Sequence, residues 1–283
     1  MKIQTVAVVG AGTMGAGIAQ VCAAAGFNVL LYDLNPEWVQ RALAGIEKNL
    51  VQAVEKGKLD EAAKNQTLGR IAAAQSLESV QADLIIEAIV EKLEPKQKLF
   101  QQLEQINAGA ILASNTSTFP ITSIAQNLKQ PALCIGLHFF NPAHIMKLVE
   151  IISGDHTAPQ CVEAMQAFCK QIDKVAVLAK DSPGFIVNRV ARPYYVESLK
   201  VLEEEGAPME NIDRLLRASG FKMGPFELMD LIGVDTNLAV TTSLYEAFDK
   251  APRFKPSPIQ QSSVANGHWG RKTGKGFYDY QKK

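Results

Sequence analysis

Cysteine is scarce in this chain. Its 283 residues include four, at positions 22, 134, 161 and 169, with no C-x-x-C pair and no density that would staple a small secreted fold. They read as reduced thiols, and the expected compartment is the cytoplasm. An excess of either charge is missing too. Lys and Arg number 29 against 29 Asp and Glu, which removes the basic footprint of a nucleic-acid binder. No window approaches the roughly 18 uninterrupted apolar residues of a membrane-spanning helix. The apolar run after Lys2 stops at Gly10, too short and too broken for a signal peptide. Internal repeats and low-complexity tracts are absent, and no His, Cys and Asp spacing completes a ligand set, so no metal is expected. What is present is a 47% share of hydrophobic residues, ample for packed cores. At roughly 150 residues per domain the length suggests two domains.

The pattern along the chain is α/β and then helical. Ile3 to Val9 is apolar on both faces, as a strand buried in a parallel sheet should be. Thr13 to Ala25 reads as a helix, Phe27 to Asp33 as a second buried strand, and Pro36 to Lys56 as a long helix. A charged, Ala-rich helical segment follows from Asp60 to Ile71. Ala82 to Ala88, Ala110 to Ala113, Leu133 to His138, Leu148 to Ile152 and Val175 to Ala179 look like short strands, with a helix from Pro159 to Ile172. This alternation predicts a Rossmann-type doubly wound sheet. Lys180-Asp181-Ser182-Pro183-Gly184 punctuates the chain, placing a boundary between domains 1–181 and 182–283. Beyond it only helices are legible: Phe185 to Glu205, Pro208 to Ala218 and Pro225 to Phe248. The Gly- and aromatic-rich stretch from Gly267 to Tyr280 reads as an irregular tail packed back on the body.

Gly10-x-Gly12-x-x-Gly15 lies between a predicted strand and a predicted helix, the context that gives this pattern its meaning. Gly10 permits a tight turn, Gly12 admits a pyrophosphate close to the backbone, and Gly15 lets helix and strand approach. The helix N–H groups at Thr13, Met14 and beyond then face the phosphates. Asp33 closes the second strand, placed to accept from ribose hydroxyls and to repel an additional phosphate, so the expected cofactor is NAD rather than NADP.

Ala113 to Thr118 leaves a strand with a run of polar side chains, and G-L-H-F-F-N-P puts His138 at the end of another. Glu150, in K-L-V-E-I-I, is an acid inside an apolar strand and needs a partner. A carboxylate on an imidazole sets its tautomer and stabilises its protonated form, as a base for a hydroxyl proton requires. By themselves, one histidine and one acid suit a structural hydrogen bond at least as well.

Taken together, V-G-A-G-T-M-G, S-N-T-S, G-L-H-F-F-N-P with K-L-V-E, S-P-G-F-I-V-N-R and G-R-K-T-G-K-G-F-Y resemble the short-chain (S)-3-hydroxyacyl-CoA dehydrogenases from end to end. The resemblance is greatest to the bacterial 3-hydroxybutyryl-CoA enzymes. It implies reversible oxidation of a 3-hydroxyacyl-CoA to the 3-ketoacyl-CoA with NAD. His138 matches the base, and Glu150 its orienting acid. Ser117 and Asn188 match the groups that bind the C3 oxygen. Glu91 and Lys96 match residues near the nicotinamide ribose, Asn115 lies in the same lining, and Lys272 matches another lysine beside the cofactor. Asn49 and Lys56 align with positions that meet the coenzyme A moiety. A site between the domains and a homodimer through the helical domain are implied as well.

Departures from the family pattern concern the substrate. Asn49 stands where Ser is common, Thr118-Phe119-Pro120 replaces a Ser-rich continuation, and His144 stands where Pro is common. His144, His156 and His268 read as loop or surface residues. R-V-A-R-P-Y-Y resembles the branch acting on dicarboxylic 3-hydroxyadipyl-CoA, where Arg189 or Arg192 would meet a second carboxylate. Tyr194 and Tyr195 read as packing. A noncatalytic NADH-binding relative of the crystallin kind, and a 3-hydroxy-acid dehydrogenase that needs no coenzyme A, are the remaining alternatives.

Overall fold

A computed structural model describes residues 2–281. The chain divides into two compact units, the first ending at Ser182 and the second beginning at Pro183.

The first unit is an eight-stranded sheet with strands β1 (Thr5–Val9), β2 (Asn28–Tyr32), β3 (Ile71–Ala73), β4 (Leu84–Glu87), β5 (Ile111–Ser114), β6 (Cys134–Phe139), β7 (Leu148–Ser153) and β8 (Val175–Lys180). Its order is β3-β2-β1-β4-β5-β6-β7-β8. All neighbours are parallel except β6 and β7. That reversal follows from the connection. Residues 140–147 are too few for the crossover of a dozen or more residues that a parallel return requires.

The helices of this unit are α1 (Thr13–Ala24), α2 (Pro36–Glu55), α3 (Glu61–Gly69), α4 (Leu93–Ile106), α5 (Ile121–Ala125) and α6 (Pro159–Gln171). Pro36 at the first position and the Asn35 side chain, accepting from Glu37 N, start α2; Asp60 accepting from Ala63 N starts α3. Alternate strand residues separate two faces. Val6, Val8, Leu84, Ile86, Ala113, Ile135, Leu137, Val149 and Ile151 share one core with Ile18, Cys22 and Phe168 from α1 and α6. The other face carries Ala7, Ile85, Leu112 and Ile152, also buried, and is covered by α4 and α5. Burial on both faces explains strands that read as continuous apolar runs.

Three elements differ from the sequence reading. The segment expected to stay helical to Ile71 ends at Gly69, and Ile71–Ala73 becomes a short edge strand on β2, too brief to carry a period. In the second unit, whose helices are α7 (Val187–Glu203), α8 (Met209–Ala218), α9 (Pro225–Ile232), α10 (Val234–Ala247) and α11 (Pro258–Ala265), the expected single helix from Pro225 breaks in two. Gly233, at φ 107°, turns the chain between α9 and α10. Helix α11 had no strong apolar signal.

The second unit packs Tyr195, Leu199, Ile212, Phe226 and Met229 into its own core, with Phe277 and Tyr278 of the tail against it. The tail is held by charge. Asp230 accepts from Phe277 N (2.8 Å), Tyr278 N (2.9 Å) and the Tyr280 hydroxyl (3.0 Å). Asp213 accepts from Phe226 N and Glu227 N at the start of α9 and from the Tyr278 hydroxyl (2.8 Å). Among the described residues no helix is long and apolar enough to cross a membrane.

Candidate active site

The glycine loop joins β1 to α1. Gly10 sits at φ 104° with its N–H on Tyr32 O (2.8 Å), and a Cβ there would lie 2.5 Å from Ala88 O. A Cβ on Gly15 would lie 1.7 Å from Gly10 O, so nothing larger than glycine fits between loop and helix. Gly12 has open space before it, and no side chain caps the N-terminus of α1 at Thr13. Backbone N–H groups there are therefore available to an anion. Asp33 directly follows β2 and steadies the loop: Oδ2 accepts from Ala11 N (2.8 Å) and Oδ1 from Asn35 N (3.0 Å). Each carboxylate oxygen retains capacity for a ribose hydroxyl. Gly10, Gly12, Asp33, Leu34, Trp38 and residues 88–90 line a largely apolar cleft of about 530 Å³. A phosphate cradle, an acid and an apolar slot beside them fit a dinucleotide.

The register of the sheet assembles a second group of polar residues. β6 and β7 place His138 directly opposite Glu150, and His138 Nδ1 lies 2.8 Å from Glu150 Oε2 with both side chains buried. The carboxylate orients the ring through Nδ1. Phe140 packs against the imidazole, ring centres 4.5 Å apart. Asn115 accepts from Phe139 N (2.8 Å) and so fixes the end of β6.

Glu91 and Lys96 come together with Ser117. Lys96, on α4, is 1% exposed and pairs with Glu91 at 3.0 Å. Glu91 Oε1 in turn accepts from the Thr116 hydroxyl (2.6 Å), Ser117 N (2.9 Å) and the Ser117 hydroxyl (3.4 Å). Burial pushes the Glu91 carboxyl up, but the Lys96 ammonium and the Thr116 hydroxyl outweigh it and hold it below the usual range. Sequence reasoning missed the residue beneath them, Glu87, fully buried at the end of β4 and 2.6 Å from Lys96 Nζ. The signal was available, since Glu87 is an acid closing an apolar strand just as Glu150 is an acid within one.

Asn49 donates to Gln20 Oε1 (3.2 Å) and lines a smaller cleft of about 250 Å³ with Arg41, Asn141 and His144. Lys56 lies two turns further along, exposed at the end of α2. His144 is thus a loop residue that lines a cleft. Burial, then the Lys174 ammonium, keeps its imidazole below the ordinary pKa. Lys174 itself, also missed, donates to Ala143 O and Met146 O (both 2.7 Å) and ties down the loop between β6 and β7.

Asn188 stands on the first turn of α7, half-buried, and Lys272 pairs with Asp235 at 2.7 Å; both belong to the second unit. Arg192 is buried there. It donates to Asn237 O (3.0 Å) and the Thr241 hydroxyl (2.9 Å) and lies over the Tyr195 ring, so it joins α7 to α10. Burial pushes its guanidinium down to about 10. The expectation that it would meet a substrate carboxylate gives way to this internal role. Arg189, exposed over the Phe248 ring, retains an accessible guanidinium. Tyr195 is core, and the Tyr194 hydroxyl donates to Met223 O.

Residues 5–182 match the NAD binding domain of 3-hydroxyacyl-CoA dehydrogenase, and residues 184–280 match that family's C-terminal domain. The chain belongs to the 3-hydroxyacyl-CoA dehydrogenase family, whose members are oxidoreductases. A 3-hydroxyadipyl-CoA dehydrogenase of Escherichia coli K12 is 48% identical over 99% of this chain, which spans only 60% of that protein's length. A probable 3-hydroxybutyryl-CoA dehydrogenase of Bacillus subtilis is 40% identical, with 100% of this chain and 99% of that protein covered. The solved structure of (S)-3-hydroxybutyryl-CoA dehydrogenase from Ralstonia eutropha superimposes with a TM-score of 0.94 at 41% identity, covering 99% of this chain and 100% of that one.

Proposed function

We propose that this protein oxidises (S)-3-hydroxyacyl-CoA thioesters reversibly to 3-ketoacyl-CoA with NAD, and that 3-hydroxybutyryl-CoA is its preferred substrate. The observation that carries the reading is the buried His138–Glu150 pair, 2.8 Å apart, in the same sheet that carries a glycine loop and an acid suited to NAD. Bound NAD would supply the hydride acceptor. His138 takes the C3 hydroxyl proton through Nε2, and Glu150 offsets the charge the ring then carries. Ser117 and Asn188 hydrogen-bond the C3 oxygen. Asn49 and Lys56 are assigned to the coenzyme A moiety, and Lys272 to the cofactor.

A second reading, 3-hydroxyadipyl-CoA as substrate, is favoured by the higher identity to the E. coli relative of that name and by the accessible Arg189. We further propose a homodimer through the second unit, which exposes Val190, Leu215, Phe221 and Leu231 by half or more of their surface. We place the protein in a reducing compartment, the cytoplasm, where its four buried cysteines stay as free thiols.

The test is NADH consumption by the purified protein with acetoacetyl-CoA, against free acetoacetate and against NADPH. Turnover with NADH and the thioester alone is expected. NADH binding without turnover on a panel of 3-ketoacyl-CoAs would overturn the reaction in favour of a noncatalytic relative. A higher kcat/KM for the dicarboxylic thioester than for the four-carbon one would replace the first substrate by the second.

A further inference from the structure

We propose that Glu87, a residue outside the proposed catalytic set, is a positioning residue that ties the wall of the dinucleotide cleft to Ser117. The inference rests on the dehydrogenase reading. Three contacts carry it, and each leads to a different part of the site.

The sheet register puts Glu87 beside Ser114, and Ser114 beside Gly136, on the face that also bears His138 and Glu150. Glu87 is completely buried, yet no hydrogen-bonding capacity is wasted on packing. Oε1 accepts from Ile89 N (2.8 Å), within the strand-end segment that lines the dinucleotide cleft and touches Gly10. Oε2 accepts from the Ser114 hydroxyl (2.6 Å), and Ser114 Oγ accepts from Thr116 N (3.2 Å). The third contact is the ammonium of Lys96 at 2.6 Å, which also holds Glu91 at 3.0 Å. Glu91 then accepts from both the N–H and the hydroxyl of Ser117. One buried ammonium therefore serves two carboxylates, and the direction of the Ser117 hydroxyl depends on where Lys96 sits between them.

Stability alone is a poor reason for such a group. A buried ion pair contributes little more than well-packed apolar residues of the same volume, whereas removing one partner exposes the other to an apolar interior. A role in holding reacting groups explains the arrangement better, because small displacements at a reaction centre reduce rates steeply.

The decisive variant is Glu87→Gln, which retains the shape and removes the charge. Turnover is expected to fall about 10- to 100-fold, the dissociation constant for NADH to rise several-fold, and KM for the acyl thioester to move little. Lys96→Met removes the ammonium that Glu87 and Glu91 share, so it too should lower kcat and, through Glu87 and its own place near the cofactor, raise the dissociation constant for NADH. A Glu87→Gln protein with lowered thermal stability but the parent's kcat and NADH affinity would overturn the proposal, leaving Glu87 a structural acid. Should Glu87→Gln fail to fold, Ser114→Ala deletes one contact with the carboxylate; a several-fold loss of kcat supports the proposal and an unchanged kcat refutes it. NADH affinity is measured without acyl thioester. A protein that binds NADH and turns over no thioester would refute the reaction while still reporting on the cleft arm of Glu87.

Discussion

At the scale of single residues, the candidate site depends on carboxylates placed where water is excluded. Glu150 is acceptable in β7 because an imidazole lies directly across the ladder. Glu150→Gln retains the volume but offers no negative charge to a protonated His138. We expect kcat to fall by roughly 10²- to 10⁴-fold with KM for the thioester little changed, since the interaction strengthens as the proton arrives. Steady-state kinetics on the folded variant checks this, and undiminished turnover would remove His138 and Glu150 from the chemistry. His138 and Glu150 were legible as a candidate pair, from an acid in an apolar strand that needs a partner and from the family resemblance. Glu87 obeyed the same rule and was passed over, because its partner Lys96 lies on α4 and no local pattern joins the two.

At the scale of elements, the short connections govern the geometry. The 140–147 loop forces β7 to run against β6, and Lys174 pins that loop by two carbonyls. In the second unit Asp213 and Asp230 bind the tail to α8 and α9, and burial raises both carboxyls despite the donors around them. The folded protein therefore retains these protons to higher pH than the unfolded chain, whose Asp titrates near ~3.9, and this contribution to stability declines as pH rises through that interval. The Tyr278 hydroxyl opposes the trend by donating to Asp213. Tyr278→Phe should thus destabilise the fold by about 2 kcal/mol at pH 7 and by less at pH 4, because the raised Asp213 carboxyl takes up its proton ahead of an ordinary Asp as the pH falls. Denaturant unfolding at the two pH values measures the difference; equal losses would mean the hydroxyl does not serve the carboxylate. The tail was legible as an irregular segment packed on the body, but its anchors were not, since the partners of Asp213 and Asp230 in the tail lie far along the chain and no local pattern joins them.

At the scale of the molecule, all four thiols are buried and far less reactive than a free cysteine. Burial pushes Cys161 and Cys169 up to about 12, and Cys22 and Cys134 higher still. The thiolate is the reactive form, so the native protein at pH 8 should give no rapid reaction with a disulfide reagent, and all four thiols should react once guanidinium unfolds it. A fast-reacting thiol in the native state would contradict the packing of α1, α6 and β6.

The sequence by itself determined the strand–glycine loop–helix unit, the acid at Asp33 and the change from α/β to helical character near Asp181. These depend on neighbours a few residues apart: the period of apolar positions, the steric freedom of glycine, the start and stop of helices. Tertiary structure alone decided the reversal at β7 that sets His138 against Glu150, the break at Gly233, the withdrawal of Arg192 into the core and the Glu87–Lys96–Glu91 chain behind Ser117. Each joins residues whose contact exists only once two elements bury a shared face, and a buried charge takes whatever partner that face supplies.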